Sequence, residues 1–324
     1  MTPVTSRLSG LILAITLTLL PATSFAAERD SLKLLAIGNS FSNDATRLLP
    51  QVAKAGGKDL LLGRASIGGC SLERHARHLA EARAGDEKGR AYNGFDDPKT
   101  GNKRSVTLIE ALQSAEWDIV TLQQVSHQSF KRESFQPHLD QLIAAVREYA
   151  PTAEIVIHQT WAYREDHPFF KRNDGFTPLK MYEDLTANYR HFATEKGFRI
   201  LPVGDALHLA RQTPRWTYTP DPDFDFENPP AGQLPDQRTS LQVGWKLGKN
   251  KAGEPKLGLD AIHCNTAGQY LGANVWYAAL FETDTLPDGY TPPGMKPEDA
   301  ADLRTHALAA VVAQREREAA PVAN

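Results

Sequence analysis

Short apolar runs alternate with amphipathic stretches along nearly the whole chain, and that order constrains the fold more than any other feature. Residues 32–37, 60–65, 119–123, 154–158 and 199–203 are brief and rich in Leu, Ile and Val, as buried strands are. Residues 44–55, 72–84, 107–114, 137–149, 179–195 and 266–281 carry helical spacing, with Gly56, Gly57 and Gly197 as stops. Strands that alternate with helices imply a parallel sheet covered on both faces. Five such strands predict an α/β protein: a three-layer α/β/α flavodoxin-like fold with a central five-stranded parallel sheet, in one domain over residues 27–324. Chemistry in such a sheet belongs at the carboxyl ends of its strands. Ser40, Gly68, Gly69, Gln123, Gln124, Trp161 and His263 all fall at that rim.

Two segments interrupt the alternation. Residues 85–104 are polar and predict a hairpin or surface loop. Residues 213–259 are Pro-rich and carry Trp216, Tyr218, Phe224, Phe226 and Trp245. Because they lead straight into Asp260, they are expected to wall a substrate cleft. Residues 297–318 predict an outer C-terminal helix. Ahead of the domain, Arg7 precedes an apolar run from Leu8 to Leu20, followed by Pro21 and small residues at Ser24 and Ala26. That pattern reads as a signal peptide over residues 1–26, cleaved after Ala26, and hence as a periplasmic or secreted protein. The run falls short of the ~20 residues a membrane span needs, so no stable membrane insertion is expected after cleavage. An uncleaved anchor is the competing reading. A net charge of −3 supplies no basic field for nucleic acid.

Ser40 follows Gly38 where a strand gives way to a helix. Backbone N–H groups are free there and the helix dipole favours negative charge, which suits an oxyanion. Capping the helix is the plainer role for Ser40 or Ser42, and the Gly-x-Ser-x-Gly elbow is absent. Far along the chain, Asp260 and His263 stand three residues apart. That spacing lets a carboxylate hold one imidazole nitrogen while the other faces a hydroxyl. A hydroxyl, a base and an orienting acid are the parts of acyl transfer through a covalent intermediate. Such chemistry calls for no metal and no organic cofactor.

Gly38-Asn39-Ser40, the loop from Ser66 to Ser71, the strand from Trp117 to Gln124, and Asp260-Ala261-Ile262-His263 resemble, in that order, the blocks of SGNH (GDSL-like) hydrolases. The first and last blocks are the more specific. The resemblance implies Ser40 as nucleophile, His263 as base and Asp260 as its orienting acid. It also implies an oxyanion hole built from the N–H of Ser40, the N–H of Gly69 (or Gly68) and a side-chain amide. The third block departs from the family's Gly-x-Asn-Asp and reads Gln123-Gln124-Val125-Ser126-His127. Gln124 is the expected donor, with Gln123, Ser126 and His127 as alternatives. Asn39 replaces the family's usual Asp, which marks an outlying branch. Cys70 follows the oxyanion glycine and Cys264 follows the base, so a Cys70–Cys264 disulfide is weighed against two free thiols.

Export, and Trp161, Trp216, Tyr218 and Trp245 together with His127, point to an ester substrate derived from a glycan, with O-acetyl groups the first choice. A lipid esterase or thioesterase is one competing reading; a catalytically silent glycan-binding protein is another. His75 and His78 share a helix face but lack a metal-site pattern. Asp221, Asp223, Asp225 and Glu227 alternate without the Gly and spaced Glu of a calcium loop.

Overall fold

A computed structural model describes residues 28–98, 100–251 and 253–320; the signal-peptide reading of residues 1–26 lies outside them. The chain runs β1 (Ser31–Gly38), α1 (Ser40–Thr46), α2 (Leu49–Ala55), β2 (Asp59–Ser66), α3 (Leu72–Arg83), β3 (Tyr92–Asp96), β4 (Lys103–Val106) and α4 (Leu108–Leu112). There follow β5 (Ile119–Leu122), α5 (Ser126–Ser129), α6 (His138–Tyr149), β6 (Glu154–His158), α7 (Pro168–Arg172), α8 (Pro178–Lys196), β7 (Arg199–Leu201) and α9 (Val203–Arg211). The last elements are β8 (Gln242–Lys249), β9 (Pro255–Cys264), α10 (Thr266–Phe281) and α11 (Pro297–Ala319).

The central sheet has the order β2-β1-β5-β6-β7, and every pairing is parallel. The chain steps from β1 out to β2 and then returns to the other side of β1. That reversal leaves a crevice at the carboxyl ends of β1 and β5. One face carries α1, α2, α9, α10 and α11, and the other α3, α4 and α6. The fold is therefore the three-layer α/β/α arrangement the alternation predicted. Leu34, Leu35, Ile119, Val120 and Val156 are fully buried between the layers. Among the described residues no helix is long and apolar enough to cross a membrane.

The helix α10 is apolar around its whole circumference, and every residue from Tyr270 to Phe281 is buried. Such a helix belongs inside a protein, and this one is wrapped by α1, α2, α9 and α11. Gly272 lets it press against α1: a Cβ there would stand 3.1 Å from Ala45 Cα.

The structure departs from the sequence reading where local chemistry outweighs periodicity. The helix predicted over 44–55 is two helices, since α1 starts at Ser40 and α2 opens with Pro50 in its first turn. The last strand stops at Leu201, and Pro202 starts α9, which the sequence reading did not separate. The 85–104 insertion forms the β3–β4 hairpin. The 213–259 insertion is no continuous loop: β8 and the first half of β9 form a second antiparallel ribbon within it.

Replacing Gly272 with Leu overpacks the α1–α10 contact. We expect a loss of about 1–3 kcal/mol despite the better helix propensity of Leu, read as a lower urea midpoint at unchanged m.

Candidate active site

The turn that ends β1 is closed by Asn39 and Ser42. Asn39 Oδ1 accepts from the N–H of Phe41 at 3.0 Å, and Ser42 Oγ accepts from the N–H of Asn39 at 3.3 Å. These two residues cap α1 reciprocally, so Ser40 is not needed for capping. Its hydroxyl pairs instead with a residue 223 positions away: His263 Nε2 lies 2.9 Å from Ser40 Oγ. The other ring nitrogen, Nδ1, lies 2.9 Å from Asp260 Oδ1, which also accepts from the N–H of His263 at 3.2 Å.

Asp260 and His263 sit on β9, where residues three apart ordinarily face opposite sides. The ladder explains why these two do not. Gln242 pairs with Cys264 and Gly244 with Asp260, so two steps along β8 match four along β9. A bulge of this kind re-aims side chains, and it brings both groups to the serine. Gly244 stands at the bulge with φ +68°, and a Cβ there would lie 2.3 Å from Arg164 Nη1. Arg164 is buried and secures β9 from outside: its N–H donates to Ala261 O at 2.9 Å, and its guanidinium grips Asp166.

Charge is arranged around the imidazole. Burial alone would push the Asp260 carboxyl up, but hydrogen bonds from His263 and from Lys246 Nζ, at 3.0 Å, hold it well below the usual carboxylate range. The hydrogen bond that His263 donates to Asp260 in turn raises the pKa of His263, against the opposing pull of burial. One turn beyond Ser40, Asp44 is buried and its carboxyl is pushed up to about 6, although its Oδ2 accepts from Cys264 N–H at 2.9 Å.

Two sets of backbone donors share the rim with Ser40. As the first residue of α1, Ser40 has an N–H with no intrahelical acceptor. Beside it, Cys70 N–H closes a tight turn onto Ile67 O at 3.1 Å, with Gly68 and Gly69 exposed at its corner and Gly69 at φ +59°. Asn39 Nδ2 donates to Cys70 O at 2.9 Å and ties this loop to the start of α1.

The third block is built differently from the expectation. Gln124, expected to donate to an oxyanion, is fully buried and directed elsewhere. Its Nε2 donates to Ser134 O at 2.7 Å, and its Oε1 accepts from the N–H groups of Leu72 and Val125. Gln123 faces the serine turn but is also fully engaged: Nε2 donates to Asn39 Oδ1 at 2.9 Å, while Oε1 accepts from Ser42 Oγ and from His158 Nδ1. His158 lies at the end of β6, and burial drives its pKa down to about 3, so it is neutral. Ser126 is buried against Tyr163 OH at 2.9 Å, and His127 is exposed on α5.

Other candidates resolve into structural roles. Trp161 and Trp216 do not face solvent: Trp161 is stacked on Phe41 and donates to Ile262 O at 2.9 Å, and Trp216 donates to Asp302 on α11 at 2.6 Å. Tyr218 is buried with the Arg164 guanidinium 3.7 Å over its ring. Trp245 stays half-buried on β8 against Phe226. Cys70 and Cys264 are both free and buried, so the disulfide does not form. Asn39, just before α1, reaches the carbonyl of Cys70, while Asp44 within α1 holds the N–H of Cys264. His75 bonds Tyr92 OH, and His78 bonds Glu81. Asp221 and Asp225 accept from nearby backbone N–H groups, as turn residues do.

Sequence reasoning missed Gln123 as a tie, Asp44 and Lys246. Gln123 carried a signal, since its strand puts it at the same rim as Asn39; Lys246 carried none without the ribbon register. Trp161→Ala should lower stability by about 3–5 kcal/mol, measured by urea unfolding, which is the effect of an anchor rather than of a stacking surface.

A family model described as a domain of unknown function, DUF4886, matches residues 33–217, more than half of the chain. A solved DUF4886 family protein from Bacteroides uniformis is 27% identical, with a TM-score of 0.65 over 87% of this chain and 95% of that one. A Slackia heliotrinireducens protein proposed to be an SGNH hydrolase is 17% identical, with a TM-score of 0.46 over 77% and 99% of the two chains. A proposed GDSL-like lipase from Parabacteroides merdae is 10% identical, with a TM-score of 0.45 over 80% and 99%. No curated protein matches the sequence. The chain belongs to the DUF4886 family, and its structural neighbours include proteins described as SGNH and GDSL-like hydrolases.

Proposed function

We propose that this protein is a serine hydrolase of carboxylic esters, working through an acyl-enzyme. The observation that carries the proposal is the continuous chain Ser40–His263–Asp260, with 2.9 Å at each link. In this reading His263 Nε2 takes the proton of Ser40 Oγ as the oxygen attacks the ester carbonyl. Asp260 holds Nδ1 and stabilises the imidazolium. The N–H groups of Ser40 and Gly69 receive the oxyanion, with Asn39 and Gln123 fixing where those two donors point. His263 then protonates the leaving alcohol. Water, activated by the same imidazole, releases the acid and restores the serine.

A hydroxyl-rich alcohol, such as an O-acetylated sugar, is the preferred substrate class. The cavity beside α1 is lined by Asn43, Arg47, Arg64, Ser66, Asn93 and Asp96, among others, and offers polar partners in place of an aliphatic groove. This favours a glycan ester over a lipid. Trp245 is the remaining aromatic of the original set with an exposed part near Asp260, whose pairing Lys246 shares the same strand. Export, argued from the charge of Arg7 and the apolar run after it, belongs to the same proposal.

Ser40→Ala and His263→Ala are each expected to cost on the order of 10⁶-fold in kcat, and Asp260→Asn about 10⁴-fold, on an aryl acetate with folding checked by circular dichroism. A fluorophosphonate should label Ser40. Retained turnover in Ser40→Ala would dismiss the assignment, whereas no turnover and no label in the natural chain would leave the silent binding protein.

The base must be neutral to act, so a raised His263 pKa places the acid limb of the kcat/KM profile above the ordinary histidine value of about 6.5. Asp44→Asn removes a nearby negative charge that favours the imidazolium. The acid limb should then move to lower pH, which a kcat/KM–pH profile of the two proteins will show.

A further inference from the structure

We infer that the cavity beside α1 is a subsite for an anionic group of the substrate, so that the preferred ester carries a carboxylate or a similar anion on its alcohol part. The inference rests on reading Ser40 as the nucleophile.

The cavity measures about 420 Å³ and is walled by α1, the carboxyl end of β2 and the β3–β4 hairpin. Ser40, Asn43 and Arg47 fall at helical spacing i, i+3 and i+7, which puts all three on one stripe of α1 and its C-cap. Seven residues rise by roughly 10 Å, so the cavity begins one turn from the serine and ends two turns from it. Ser66 is the register partner of Gly38, which places the upper wall directly beside the serine turn.

Charge in the cavity is unbalanced. Arg47, Arg64 and Lys103 line it against a single carboxylate, Asp96, and that carboxylate is paired with Lys103 Nζ at 3.2 Å. The guanidinium of Arg64 is fixed from behind, with Nε donating to Thr46 Oγ1 and Nη2 to Thr46 O, both at 2.9 Å. Those partners are neutral. A half-buried cation whose hydrogen bonds go to neutral oxygens, and whose nearby carboxylate Asp96 is shared with Lys103, is an incomplete arrangement, and an anion completes it. Two further atoms await partners. Asn43 Oδ1 and Ser66 Oγ are buried with no hydrogen bond among the described residues. The Ser66 hydroxyl can donate to an anionic oxygen, and Asn43 Oδ1 can accept from a neighbouring substrate hydroxyl.

A matched pair of probes tests the subsite: 4-acetoxyphenylacetate and its methyl ester share the acetyl group and a phenolic leaving group of nearly the same strength, and differ in one charge. At low ionic strength kcat/KM for the carboxylate should exceed that for the methyl ester by tenfold or more. The ratio should shrink as salt is added. Arg47 is exposed, so Arg47→Glu is expected to fold, and it should invert the preference. Equal use of both probes, with a ratio that Arg47→Glu does not move, overturns the anionic subsite while leaving the esterase in place. If neither probe is hydrolysed and Ser40 takes no fluorophosphonate label, the esterase reading fails, and the subsite is then judged by calorimetric titration with 4-hydroxyphenylacetate. Binding by the natural chain that Arg47→Glu abolishes supports it. No binding overturns it.

Discussion

The rim depends on one buried side chain. Asn39 is enclosed, and its amide accepts from Phe41 N–H and from Gln123 Nε2 while donating to Cys70 O. The first closes the start of α1, and the other two join the end of β1 to the end of β5 and to the loop after β2. Gln123 extends the set to β6 through His158. Leaving any one of these groups without a partner away from water costs about 1–3 kcal/mol. The members are therefore strongly interdependent, and the network is kept whole or lost together. The same set explains the conformation of the serine turn. A Cβ on Gly38 would lie 2.0 Å from Ser42 Oγ and 2.8 Å from Gln123 Oε1, so the network closes only over a glycine.

What the sequence disclosed follows from how far each signal reaches. The alternation of apolar runs is local and strong, and it located all five strands of the sheet and the bounds of α10. The order Ser40, Asp260, His263 was readable because acyl transfer demands those groups whatever the fold. The direction of Gln123 and Gln124 was not readable. The two are neighbours at a strand end, so they face opposite ways, and which one points at Asn39 depends on the pairing of β5 with β1. The aromatic residues were misread for a related reason. A Pro-rich stretch with tryptophans looks like a cleft wall in one dimension, but Trp216 is claimed by Asp302 on α11, 86 residues away. Nothing near Trp216 in the chain announces that partner.

Electrostatics and packing converge at the imidazole. Asp260 is kept ionised by three hydrogen-bond donors, whereas Asp44, more deeply buried and with two donors, is drawn toward its neutral form. Two carboxyls that both act on one histidine thus behave differently because of what surrounds them. The buried His158 is further removed still, neutral and held by Gln123, a part of the scaffold with no route to solvent chemistry.

The β8–β9 ribbon has a mechanical corollary. Its acid and its imidazole are carried on four consecutive residues, clipped across the ribbon by Lys246, whereas the hydroxyl belongs to a separate, rigidly tied layer. Any rocking of the ribbon transports the charged couple as one body and leaves its internal bond intact. The N–H of Cys264 on Asp44, Trp161 on Ile262 O and the N–H of Arg164 on Ala261 O tie the same segment to the core, so the gap between imidazole and hydroxyl opens only as those ties stretch. The seating of the ribbon therefore sets that gap, with no change in any of the three side chains.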